Sequence, residues 1–161
     1  MKSSIGKAAL AAMFALGAGT ASAGVVVNYV NPERFVDLPG GDWEREQVLR
    51  ELGKYFEKLG KDLPAGQDLT LDILDIDLAG TEAQGQRAGG DIRIRQGIND
   101  WPYIELRYTV SANGQVLNTG TAQLKDAGYL SRPTKLSMEN DSLRYEKRMI
   151  ESWFKKTILQ K

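Results

Sequence analysis

Neither histidine nor cysteine occurs anywhere in the sequence. Serine–histidine–aspartate and cysteine–histidine nucleophile systems are therefore excluded. Zinc, copper and haem sites lose their ordinary ligands for the same reason. Disulfides are excluded too, although an export compartment would permit them. What survives is oxygen-ligand chemistry with calcium, magnesium or manganese, or a carboxylate pair of the glycosidase kind. Net charge is also lacking, since 21 basic residues balance 21 acidic ones, and nothing in that balance points to nucleic acid. Beyond the N-terminus no stretch is long and apolar enough to cross a membrane.

The N-terminal stretch, MKSSIGKAALAAMFALGAGTASAG, has the order of a signal peptide. Lys2 and Lys7 make a positive start, residues 8–18 form an apolar run too short for a bilayer, and Ala21-Ser22-Ala23 offers small residues for cleavage before Gly24. A buried N-terminal helix is the rival reading, but the run has no amphipathic period. The absence of cysteine removes a lipid-modified terminus. The expectation is a signal peptide over residues 1–23 and a single domain over 24–161, periplasmic or secreted and not membrane-spanning. Without Lys2 and Lys7 that domain has 19 basic against 21 acidic residues. At this size it can bury about two thirds of its unfolded surface without a covalent staple.

GVVVNYV is β-branched and aromatic and predicts a strand at 25–30. Val48, Leu49, Leu52, Tyr55, Phe56 and Leu59 recur at one-face helical spacing, which predicts a helix over 43–59 with Asp42 as N-cap and Gly60 as its stop. Gly53 inside that helix costs about 1 kcal/mol against alanine, which suggests a close approach to another element. LDILDIDL predicts a strand at 68–78, DIRIRQ one at 91–96, and the alternation of YIELRYTV one at 103–110. Asn113-Gly114 marks a hairpin, with the returning strand at 115–124. Leu143, Met149, Ile150, Trp153, Phe154 and Ile158 stripe a final helix over 142–158, opened by Asp141 or Ser142. The order β-α-β-β-β-β-α predicts a two-layer α+β domain, with a mostly antiparallel sheet of about five strands and both helices on one face. Its first strand, helix and second strand form a parallel crossover.

VNPERFVDL, DIDLAG followed by DIRI, LKD and the closing LRYEKRMIESWFKK together resemble the DUF 3016 family of exported bacterial proteins. The resemblance spans nearly all of 24–161, in order. It implies export and a single domain, and it carries no activity, cofactor or partner to transfer.

Three aspartates interrupt the second strand. In an extended strand Asp75 and Asp77 share a face and Asp72 does not, and the apolar face switches near Ile73-Leu74, which suggests a central strand or a bulge. In DIRIR, Arg93 and Arg95 share a face. If the two strands pair antiparallel, Asp77 opposite Arg93 places Asp75 opposite Arg95, making two cross-strand ion pairs of about 0.2–1 kcal/mol each. Structural ion pairing among Asp75, Asp77, Arg93 and Arg95 is the leading reading. The sharper one makes Asp75 and Asp77 hard-cation ligands, joined by Glu82 or Asp91, although calcium wants six to eight oxygens.

Two further features could face a partner. Arg144, Lys147, Arg148 and Lys155 share a side of the last helix, either as an ordinary solvated face or as a surface for an anionic envelope component. Trp101 falls in a loop, as a binding anchor or a lid over a sheet edge. No catalytic residue and no cofactor are assigned. The function expected is a non-enzymatic exported domain that binds a protein or envelope component through a sheet edge or through the loops around 81–90 and Trp101. The alternative is a divalent-metal-dependent hydrolase using Asp75 and Asp77.

Overall fold

Four strands make the main sheet in the order β1-β2-β5-β6. They are β1 (Gly24–Tyr29), β2 (Gln67–Asp77), β5 (Tyr103–Ala112) and β6 (Gln115–Lys125). The computed structural model describes residues 24–83 and 92–161, so the expected signal peptide at 1–23 and the Asp91 ligand lie outside the described residues. Helix α1 (Asp42–Gly60) connects β1 to β2, which run parallel, and β2/β5 and β5/β6 are antiparallel. A separate two-stranded hairpin, β3 (Thr81–Ala83) with β4 (Ile92–Ile94), lies between β2 and β5 in sequence. Helix α2 (Arg144–Trp153) runs directly into a π-helical turn, Phe154–Ile158. The architecture is α+β, as the patterning predicts, with one strand more than expected because Thr81–Ala83 pairs with Ile92–Ile94.

One face of the sheet carries the core. Leu69, Leu71, Ile73 and Ile76 of β2 and Ile104, Leu106 and Val110 of β5 are buried with Leu52 and Phe56 of α1 and Met149, Ile150 and Phe154 of the C-terminal helix. Each fully buried side chain of this kind contributes about 1.5–3 kcal/mol. The other face is polar, because the residues that alternate with these are Thr70, Asp72, Glu105, Arg107 and Thr121. Both helices therefore cover the same side.

Local chemistry sets the details. Asn113 and Gly114 both have positive φ, 51° and 77°, as a two-residue type I′ turn requires. The expected bulge is present: the β2/β5 register shifts between Ile73 and Asp75. Helix α1 starts at Asp42, one residue earlier than predicted, with Gly41 in place of Asp42 at the N-cap. Asp42 instead accepts a hydrogen bond from Arg45, at 2.8 Å. No close approach requires Gly53, since a methyl group there would lie 3.6 Å from the Tyr29 hydroxyl, an ordinary contact. The tight place is Gly60, where a methyl group would overlap Val25 of β1. Gly60 is the last helical residue and the next, Lys61, is also αR. It serves packing there rather than a left-handed stop.

Candidate functional site

The bulge rearranges the aspartates. Asp72 lies opposite Arg107, Asp75 opposite Glu105 and Asp77 opposite Tyr103. Tyr103, Glu105 and Arg107 share one face of β5, so all three aspartates face outward and Asp72 joins the other two. The expected β2/β4 pairing does not form, and with it the Asp77–Arg93 and Asp75–Arg95 pairs are corrected. β5 takes that edge of β2 instead, because its ten alternating residues match β2 along its length whereas β4 has only three. The chain leaves the sheet at Gly80, in the left-handed region with φ 89°.

Each partner finds another role. Arg93 clamps Asp37 through two hydrogen bonds of 2.7 and 3.2 Å and donates to the Gly80 carbonyl at 2.8 Å, which ties the β3–β4 hairpin to the end of β2. Burial and hydrogen bonding act in opposite directions on Arg93, and the Asp37 bond prevails, so its pKa is raised. Arg95 donates to the Ser142 carbonyl at 3.2 Å and lies over the Tyr145 ring. Asp75, facing a like charge, accepts from the backbone amides of Val36 and Ile76 at 2.8 and 2.9 Å. Asp77 has a raised pKa through burial first, then the nearby Asp37 and Asp75 carboxylates, with Arg93 opposing. Among the described residues no three acidic side chains are arranged to hold a metal ion. Among the described residues Asp75 and Asp77 thus have no third ligand.

The basic side of α2 is also corrected. Lys147 is buried and bonds Asp141 at 2.6 Å, with Glu51 of α1 at 3.8 Å. Arg148 bonds Asp126 at 2.8 Å and the Tyr129 carbonyl at 2.7 Å, and also reaches the carbonyl of Arg132. Arg144 reaches the Asp141 carbonyl and the Tyr145 hydroxyl, both at 3.1 Å. These cations pin the 126–143 connection onto the helix instead of forming an open basic face. Trp101 is half-buried against Ala79, Tyr129 and Tyr145, with the Lys125 ammonium 4.1 Å from its ring centre. Lys125 ends β6, so the indole lies beside the end of that strand.

Glu151 anchors the same connection from the next turn, accepting from Lys135 at 2.6 Å and Lys155 at 2.7 Å. Burial pushes its pKa up, but the hydrogen bonds from the two lysines outweigh it and hold it at about 2. A carboxylate depressed in the folded state stabilises above its unfolded pKa and loses that contribution as pH falls. Between pH 4.5 and 2 the protein should therefore lose stability more steeply than its Glu151→Gln variant. Parallel urea titrations at intervals across that window check this, and coincident slopes would refute it.

The feature that stands open is the outer edge of β6. Among the described residues β6 pairs only with β5, and its first ten residues, Gln115–Leu124, include no charged residue and no proline. Natural sheets usually blunt such an edge with lysine, proline or a cover. Beside its C-terminal half runs a groove of about 600 Å³. Gln123, Leu124 and Lys125 form one wall, and Met149, Ser152, Trp153 and Lys156 of the C-terminal helix form the other. Lys125, Arg132, Arg148 and Lys156 line it against a single carboxylate, Asp126, which is already engaged by Arg148. The indole Nε1 of Trp153 has no hydrogen-bond partner among the described residues.

A second cleft, of about 590 Å³, lies between α1, the β3–β4 hairpin and the start of α2. At its floor Glu146 is 1% exposed and accepts from the Ala79 amide at 2.7 Å through Oε1. Burial drives its pKa up. Glu146 escaped the sequence reading, yet its signal is there: it occupies the gap in the apolar stripe, three residues after Leu143 and three before Met149.

A small α+β domain with an unprotected sheet edge beside a basic groove is the class that this geometry defines. The chain belongs to the DUF3016 family, described as "Protein of unknown function", which matches residues 23–156. No curated protein and no solved structure matches it. Among the described residues, no helix is long and apolar enough to cross a membrane.

Proposed function

We propose that the protein is a non-enzymatic binding domain, exported to the periplasm or beyond, that captures an extended acidic segment of a partner protein by strand addition on β6. The single observation that carries this is the outer edge of β6, uncharged over Gln115–Leu124 and unpaired among the described residues, lying alongside the basic groove. Strand addition satisfies main-chain donors and acceptors, while alternate side chains of the guest enter a flanking groove and give selectivity. Excess positive charge in the groove favours acidic guests and makes binding salt-dependent. β1, the opposite edge, is only six residues long. Export rests on the order of charge, apolar run and small residues at 1–23.

The test uses eight-residue peptides rich in Asp and Glu, selected on the protein from a displayed library. Bound peptide should slow amide exchange in residues 115–125, and Lys156→Glu should weaken binding about tenfold or more, the factor that corresponds to 1.4 kcal/mol. Lys156 is exposed, so this change leaves the core intact. Protection that spares β6, or a β6 edge already paired with a second copy in solution, would overturn the proposal.

A further inference from the structure

The second cleft carries two buried polar atoms without hydrogen-bond partners among the described residues. Oε2 of Glu146 and Nε of Arg95 both lack hydrogen-bond partners among the described residues, and both residues line the same space. One is an acceptor of negative character and the other a cationic donor. A buried polar group left unpaired costs about 1–3 kcal/mol, and more when charged, so two of opposite sign in one cleft call for a guest that meets both.

Of the other charges in the cleft, one is paired and two lie at its rim. Arg93 is neutralised by the Asp37 carboxylate. Arg95 has one Nη2 bond, to Ser142, and its plane lies over Tyr145. Glu44 and Glu82 line the opening. The walls between are apolar, formed by Pro39, Val48, Leu78 and Leu143. The N-termini of α1 and α2 both reach this space through Gly41 and Leu143, which adds a preference for a carboxylate near Arg95. Here the helix ends assist; the orphaned pair is what indicates a ligand.

We infer that this cleft binds a small zwitterion, an amino acid or short peptide, whose ammonium group pairs with Glu146 and whose carboxylate pairs with Arg95. The apolar walls hold its side chain. This site is separate from the β6 groove and is tested separately.

The amide of Ala79 is a built-in reporter, since it donates to the other oxygen of the Glu146 carboxylate. Alanine, leucine, lysine and dialanine are titrated into the labelled protein at pH 7.5, alongside propylamine and propionate. At least one zwitterion should shift the Ala79 resonance and bind about tenfold or more tighter than either singly charged probe, because one charge alone leaves an orphan unpaired. The free amino acids and dialanine distinguish a free amino acid from a peptide end. Glu146→Gln keeps the acceptor for Ala79 and removes the charge, and it should weaken zwitterion binding about tenfold with the fold retained. Silence of Ala79 with every zwitterion at about 10 mM, affinity below the 1 mM scale that corresponds to −4.1 kcal/mol, overturns the assignment. So does propylamine binding as tightly as the zwitterions, a comparison that needs no variant at all.

Discussion

Replacing Arg148 with methionine should destabilise the protein by about 3–5 kcal/mol, the cost of leaving a buried charge without its partner. Asp126 is 6% exposed, and its Oδ2 bonds Arg148 at 2.8 Å. Its other contact is Arg132, 3.6 Å away and mostly exposed, which cannot replace the lost bond. The same guanidinium holds the carbonyls of Tyr129 and Arg132, so the 126–133 segment loses its attachment to α2 at once. The midpoint of thermal unfolding should fall by on the order of 10 °C. Arg144→Met, on the same helix, should cost under about 1 kcal/mol, since it releases only a hydroxyl and one carbonyl. Equal effects of the two substitutions would show that the Asp126 network does not hold the fold. The double variant Arg148→Met/Asp126→Asn should be more stable than the sum of its parts, because removing both charges leaves none buried and alone.

That result bears on what the sequence makes legible. Both helices follow from apolar spacing, and the β5–β6 hairpin follows from Asn113-Gly114, because these signals are local and their geometry is imposed within a few residues. The bulge in β2 is legible from the switch of apolar parity at Ile73-Leu74. What it does to Asp72 is not, since turning that carboxylate to the outer face depends on where pairing resumes on β5. The β2/β4 ion pairs fail for a related reason. Charge complementarity between Asp75, Asp77, Arg93 and Arg95 is satisfied equally well by several registers, and strand length decides among them. Arg148 looks solvent-facing because helical spacing says nothing of the 126–143 connection that folds across it. The open β6 edge is half legible: the absence of charge over residues 115–124 shows in the sequence, but only the sheet order makes β6 an edge. Glu146 is the opposite case, a carboxylate in an apolar stripe, visible in the spacing from Leu143 to Met149.

Phe154→Ala is the second large effect, with an expected loss of about 3–5 kcal/mol. Phe154 is fully buried, at 0% exposure, in the core shared by α1, β2 and β5. It also opens the π turn: its carbonyl accepts from the Leu159 amide at 3.0 Å. A π turn inserts one residue into the helical repeat. Here it lets Phe154 point inward while Ile158 and Leu159 still pack against the same core. Truncation to alanine leaves a cavity under that turn, and the rigid sheet below can close it only in part. Trp153→Ala next door should cost less, since the indole is half-buried and its main partner is the edge of the Tyr108 ring, with centroids 5.7 Å apart. Urea unfolding of the two variants separates the roles. A Phe154→Ala loss below about 1 kcal/mol would mean that the C-terminal turn is not part of the core, and one wall of the proposed peptide groove would then have no fixed position. A loss in the expected range, with Trp153→Ala folded, leaves that wall rigid and frees Trp153 for the guest strand: the stability of the turn is then the precondition for binding at β6.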